Sequence, residues 1–289
     1  LKVSLPKYFG YKLRVQIFLN DRFVSAARAR VSLFDRGLLY GDGLFETLRV
    51  HDGQVFRLPQ HLARLRSGAE FLRIKIPFTP TKISALAAQL LTKNNFRTGL
   101  LRLTLTRGVG ARGYSPHGAN IPTFAISLHP LPPQKKVCHL VTAPLRLPVA
   151  DPLARYKTAT KLTQILARAH ADDARAHDAL LLNSRGQVAE TTSGNLFIIA
   201  DGQVFTPPLS AGILSGVTRA AVLELCAQLG LPARERNIAP AHLLKADGIF
   251  LTLTAQGLVE VSLLDGQKIR RSSLVKELQS AYATLLAAR

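Results

Sequence analysis

A chain of 289 residues is long enough to bury a large core and predicts one large domain or two of ordinary size. Its 47% hydrophobic content, free of low-complexity tracts, excludes a disordered chain, and no apolar run approaches the ~18 residues of a membrane span, so no membrane partner is expected. The net charge of +20 is spread over the whole chain without a basic run or a nucleic-acid-binding pattern, so it predicts an anionic small-molecule ligand and no specific nucleic-acid partner.

Cys138 and Cys226 lie far apart, with no Cys or His at metal-ligand spacing. They argue against a disulfide framework or a zinc site and predict buried thiols in a reducing, cytoplasmic setting. Leu1 to Gly10 has no apolar stretch before a cleavage site, so no secretory signal is expected.

In chain order, residues 12–25 alternate around Asn20-Asp21 and predict a hairpin. Within 31–58, Gly41 and Gly43 flank Asp42, a strand runs to Val50, and an Asp52-Gly53 turn begins a return strand. Leu58, Leu62, Leu65, Ala69 and Leu72 recur at helical spacing and predict an amphipathic helix over 59–73, which carries Arg64. A second helix is predicted at about 81–93, then a strand from Leu100 to Arg107. The loop that follows spells G-x-G-x-x-G at Gly108, Gly110 and Gly113. Tyr-Ser-Pro-His-Gly comes next where a dinucleotide site needs a helix, so that reading fails. Arg107, Arg112 and Tyr114 instead suit a carboxylate grip, because guanidinium forks bind carboxylates bidentately. A surface loop with incidental charge accounts for the same residues equally well.

A strand at Thr123 to Leu128 runs into HPLPPQKK, residues 129–136, whose three prolines make the best linker in the chain. The predicted division is a small N-terminal domain at 1–129, a linker at 130–136 and a larger C-terminal domain at 137–289. The second part predicts a strand at 137–143, a helix at about 158–176 with Lys157 and Lys161 on one face, and a strand at 179–183. Then comes the stretch from Val188 to Arg219. Glu190 precedes a Thr-Thr-Ser-Gly-Asn turn, a strand at 196–199 and an Asp-Gly hairpin follow, and Ser215-Gly216-Val217-Thr218 leads into a helix reaching about Leu229. Backbone N–H groups at such a helix start can seat an anion; an ordinarily capped helix after a hairpin explains the residues too. Strands at 248–254 and 258–263 and a helix at 272–287 complete an α+β pattern.

Together these motifs resemble the class IV, or fold type IV, pyridoxal-phosphate enzymes: branched-chain and D-amino-acid aminotransferases and 4-amino-4-deoxychorismate lyase. The family pattern is supplied in full by Glu190, Asn195-Leu196-Phe197, Val204-Phe205-Thr206 and Leu214 through Arg219. The resemblance implies a two-domain α+β fold of the D-amino-acid aminotransferase kind, an active site between the domains, a homodimer, and pyridoxal 5'-phosphate as cofactor. It implies Lys157, and not Lys161, as the Schiff-base lysine, and Glu190 as the carboxylate paired with the pyridinium nitrogen. Arg64 matches the phosphate arginine, Val217 and Thr218 the anion seat at the helix start, and Thr254 a second phosphate contact.

Within the family, Leu162 stands where branched-chain enzymes carry a tyrosine. The run Arg-Gly-x-Gly-x-Arg-Gly-Tyr-Ser and the segment YGDGLFETLRV look like the lyases. Leu38 replaces a threonine of some bacterial lyases, and Glu260-Val261 replaces the usual Pro-Val. The expected reaction is conversion of 4-amino-4-deoxychorismate to 4-aminobenzoate and pyruvate, in folate biosynthesis, with Arg107, Arg112 and Tyr114 toward the substrate. The alternatives are a class IV aminotransferase using a D-amino or branched-chain amino acid with a 2-oxo acid acceptor, and a basic binding protein with a vestigial site.

Overall fold

The computed structural model describes residues 15–135 and 137–288. They form two compact units: the residues through Pro132 together with Tyr156–Thr160, and the remainder, 133–155 and 161–288.

The first unit contains β1 (Gln16–Leu19), β2 (Arg22–Ser25), α1 (Arg36–Tyr40), β3 (Gly43–His51), β4 (Gln54–Val55), α2 (Leu58–Leu72), α3 (Pro80–Lys93), β5 (Gly99–Thr106) and β6 (Thr123–His129). The start of the expected hairpin, 12–14, lies outside the described residues. The strands form an antiparallel sheet in the order β2-β1-β6-β5-β3-β4. β3, β5 and β6 alternate between buried and half-buried residues, so one sheet face joins the core and the other stays available for chemistry. Leu62, Leu65 and Ala69 of α2 and Leu86 and Leu90 of α3 pack with Leu48, Leu101 and Leu103. Thr79 caps α3 by accepting from Lys82 N, and Pro80 opens it. Helix α1, which periodicity did not reveal, is one turn made by capping: Asp35 accepts from Gly37 N, and Gly41 closes it at φ 67°.

The second unit contains β7 (Val137–Leu147), α4 (Leu162–Asp173), β8 (Asp178–Asn183), β9 (Val188–Thr191), β10 (Asn195–Ala200), β11 (Gln203–Thr206), α5 (Val217–Gln228), β12 (Ala233–Glu235), α6 (Pro240–Lys245), β13 (Gly248–Leu253), β14 (Gly257–Leu264), β15 (Gln267–Lys268) and α7 (Ser273–Ala287). The strand order is β12-β11-β10-β13-β14-β7-β8-β9, with β15 on β14. Because β9 also pairs with β10, the six strands from β10 round to β9 close into a ring, and the closing pair is Glu190↔Asn195. Residues of all six strands share one core, including Leu140, Leu180, Val188, Leu196, Leu251 and Val259. On the opposite face Phe197 and Phe250 stack at 4.9 Å. Helices α5 and α7 pack against β13 and each other.

One expectation is corrected here. The helix begins at Leu162, so Lys157 and Lys161 do not share a helical face. Residues 157–159 are extended against β3: Lys157 O accepts from Phe45 N, Ala159 N donates to Gly43 O, and Thr158 bridges Leu44. Ladder bonds to a distant strand override the local helical pattern.

Candidate active site

In the first unit, the strand pairing with β3 places Lys157 half-buried, with Nζ 4.7 Å from the centre of the Phe45 ring. The guanidinium of Arg102, from β5, stacks on the same ring at 4.0 Å. Burial lowers its pKa, and it makes no hydrogen bond or ion pair among the described residues. Arg102 was not singled out in the sequence: only the β5–β3 register, Arg102↔Thr47, brings it beside Phe45.

Arg64 lies on α2 as expected. Glu46, 1% exposed, accepts from Arg64 Nε at 2.7 Å and Nη2 at 2.6 Å, and from His61 Nδ1 at 2.7 Å. Burial would raise the Glu46 pKa, but the hydrogen bonds of Arg64 and His61 hold it below the usual carboxylate range. Burial lowers the pKa of His61 despite Glu46. The trio is therefore a carboxylate, a neutral imidazole donating through Nδ1, and a guanidinium gripped bidentately from one side. Neither Glu46 nor His61 stands out in the sequence, since one reads as a strand residue and the other as a helix residue.

The loop from Arg107 to Pro116 is irregular and leads to β6, with no helix after it. Its two arginines differ. Arg107 is buried, and its N–H groups bond Asp42 and the carbonyls of Leu72 and Arg73. Arg112 is exposed and without a hydrogen bond or ion pair among the described residues. Tyr114 is 89% exposed, with its ring edge-on to Tyr40. Leu38 is exposed on α1.

In the second unit, Glu190 is half-buried at the ring closure. Its Oε2 accepts from Leu214 N at 3.0 Å and Asn195 Nδ2 at 3.2 Å, while Asn195 also donates to Leu214 O at 3.0 Å. A Cβ on Gly216 would lie 2.0 Å from Asn195 Oδ1, so a larger residue there would displace the Asn195 amide. Val217 and the buried Thr218 open α5, whose first turn holds no acidic residue and no side-chain cap. Thr254 follows the end of β13. Other residues of the family pattern are scaffold: Thr206 Oγ1 donates to Leu196 O, and Arg219 is buried with Nη2 on Pro207 O and Glu235. Glu260 is buried and pairs with Arg271. Both cysteines are buried, and burial pushes Cys138 up to about 12 and Cys226 up to about 11.

In the first unit a lysine amine and an arginine, and in the second unit a carboxylate anchored through Asn195 and a helix start free of acidic side chains, are each of a chemistry that suits a phosphorylated pyridine aldehyde. Comparison with known proteins points the same way. The family model described as amino-transferase class IV matches residues 43–264. The chain is 37% identical over 263 residues to a protein of Methanocaldococcus jannaschii named "Putative branched-chain-amino-acid aminotransferase", covering 90% of this chain and 91% of that one. It is similar to the solved 4-amino-4-deoxychorismate lyase of Pseudomonas aeruginosa, with TM-score 0.82, 33% identity, and 93% and 98% of the two chains covered. It is also similar to the branched-chain aminotransferase of the thermophilic archaeon Thermoproteus uzoniensis solved with norvaline, with TM-score 0.89, 26% identity, and 94% and 95% covered.

Proposed function

From a chain that belongs to the class IV amino-transferase family, we propose a pyridoxal-phosphate-dependent aminodeoxychorismate lyase, converting 4-amino-4-deoxychorismate to 4-aminobenzoate and pyruvate. The observation that carries this reading is the Arg107–Pro116 loop, whose backbone is held while the side chains of Arg112 and Tyr114 are left exposed for an anionic substrate. Leu162, exposed where branched-chain enzymes have a tyrosine, supports it. Arg64, Val217, Thr218 and Thr254 would hold the cofactor phosphate, Glu190 its ring nitrogen and Lys157 its aldehyde carbon. When bound, the cofactor supplies an electron sink for the pair released at the amine-bearing carbon. Lys157 Nζ takes the proton from that carbon, the enolpyruvyl C–O bond breaks as the ring becomes aromatic, and a proton passes to the departing methylene, giving pyruvate. Arg112 and Tyr114 orient the substrate carboxylates, and Arg107 acts from beneath by holding the loop.

The second reading is aminotransfer with a 2-oxo acid acceptor. The 37% identical relative favours it, as does Arg102, a lone guanidinium beside the ring that Lys157 also meets, which suits a single carboxylate. The test is purified protein with aminodeoxychorismate and no oxo acid. Release of 4-aminobenzoate is expected, with the visible cofactor band lost in Lys157→Ala. Turnover only after a 2-oxo acid is added would replace the lyase by the aminotransferase. We further propose a homodimer, because Val31, Leu33, Phe34, Leu38 and Leu39 are all between 46% and 75% exposed within nine residues.

A further inference from the structure

The step Gly41-Asp42-Gly43 joins two parts of the first unit that the proposed function uses separately. Its backbone holds the lysine segment: Gly43 O accepts from Ala159 N at 2.8 Å, and Gly41 O from Thr160 Oγ1 at 3.3 Å. Its side chain holds the glycine loop. Asp42 Oδ2 accepts from Arg36 Nε at 2.9 Å and Arg107 Nε at 2.7 Å, and Oδ1 from Arg107 Nη2 at 3.1 Å. Arg36 then donates to three consecutive loop carbonyls, Gly113 at 2.8 Å, Tyr114 at 3.1 Å and Ser115 at 3.1 Å. Arg107 reaches the end of α2, at Leu72 O (2.7 Å) and Arg73 O (2.9 Å).

Both guanidiniums are buried, so each needs an anion or carbonyl for nearly every N–H. One carboxylate serves both, accepting three N–H bonds, and five carbonyls accept five more. The backbone on either side of that carboxylate is closely packed. A Cβ on Gly41 (φ 67°) would lie 2.4 Å from Thr160 Oγ1, and one on Gly43 would lie 2.6 Å from Leu105 O. The loop rests on the Arg36 stem, since a Cβ on Gly110 would lie 2.9 Å from Arg36 Cδ. Gly113 N also donates to Tyr40 Oη at 2.9 Å. With the carbonyls of 113–115 and the Gly113 N–H held, the direction in which the Tyr114 side chain leaves the backbone is set, and Arg112 is joined to that segment through the held Gly113 N–H.

We propose that Asp42 is a positioning residue that, through Arg36 and Arg107, fixes how the loop presents Arg112 and Tyr114 and thereby sets affinity for the substrate carboxylate. The inference rests on the proposed role of this loop as the substrate grip.

The test is Asp42→Asn in the full-length holoenzyme labelled with 3-fluorotyrosine, with the Tyr114 resonance assigned by Tyr114→Phe. Arg36→Lys is the second variant, in case the first does not fold. The expected result is a shifted or broadened Tyr114 signal, an unchanged visible cofactor band, and KM raised at least about tenfold with kcat within about twofold. A Tyr114 signal identical to that of the unsubstituted protein, or a loss confined to kcat, overturns the proposal. Arg112→Ala separates the two layers of inference. If it leaves KM unchanged while Asp42→Asn still moves the Tyr114 signal, the loop is not the substrate grip, and the role of Asp42 in affinity falls with it.

Discussion

His61 is buried without a charge and Glu46 is buried with one, and the difference governs how stability responds to pH. His61 has a folded pKa below 6.5, chiefly through burial. The unfolded chain therefore takes up a proton first as pH falls, and stability is lost progressively below about pH 6.5. Glu46 has a folded pKa below 4.5, because the Arg64 and His61 hydrogen bonds outweigh its burial. Its contribution is present above that value and disappears only as pH falls through the lower folded pKa. The two windows open at different pH, so His61 can be tested apart from Glu46. Urea unfolding of wild type is expected to weaken between about pH 6.5 and about pH 5, each such histidine contributing at most about 1.4 kcal/mol per pH unit to the slope. His61→Asn should reduce the slope without abolishing it, since burial also lowers His129 and His177. An unchanged slope would mean that His61 is protonated in the folded protein.

At the scale of elements, the closure of β9 on β10 explains why the family pattern is so constrained. Glu190 and Asn195 are the closing pair, Asn195 ties Glu190 to Leu214, and Gly216 makes room for the Asn195 amide at the start of α5. Strand closure, carboxylate and helix start are thus one object. Gly216→Ala is expected to drive Asn195 off Leu214, destabilising the cofactor-free protein by about 1–3 kcal/mol. It should also weaken cofactor binding, read as a higher concentration needed to restore the visible band. Unfolding at the wild-type urea midpoint together with normal cofactor titration would refute this account.

For the whole molecule, a net charge of +20 and an exposed apolar segment at 31–39 pull in opposite directions. Like charges disfavour association, whereas large apolar side chains left in water favour it. The pairing is expected to prevail because the apolar residues are concentrated and the cations dispersed. Light scattering should give about twice the chain mass of 31.5 kDa, and Leu33→Glu with Phe34→Glu should halve it without lowering the helix content. A wild-type monomer at micromolar concentration would refute the proposed dimer. Among the described residues, no helix is long and apolar enough to cross a membrane.

Local pattern by itself determined most elements of both units, since periodicity, turn residues and caps act within a few residues. The amphipathic helix from 58 to 72 and the Asp-Gly hairpins needed nothing more. The resemblance in the stretch from Glu190 to Arg219 likewise named a family that the comparisons bear out. What local pattern could not determine depends on residues far apart in the chain. Helical periodicity ran through Lys157, yet the bonds of β3 made that segment extended. In sequence Asp42 is only an aspartate flanked by two glycines, and the fold brings Arg36 and Arg107 onto it. Arg107 and Arg112 look alike in sequence, and tertiary structure separates them: burial forces one guanidinium to satisfy its donors internally, and exposure leaves the donors of the other to solvent.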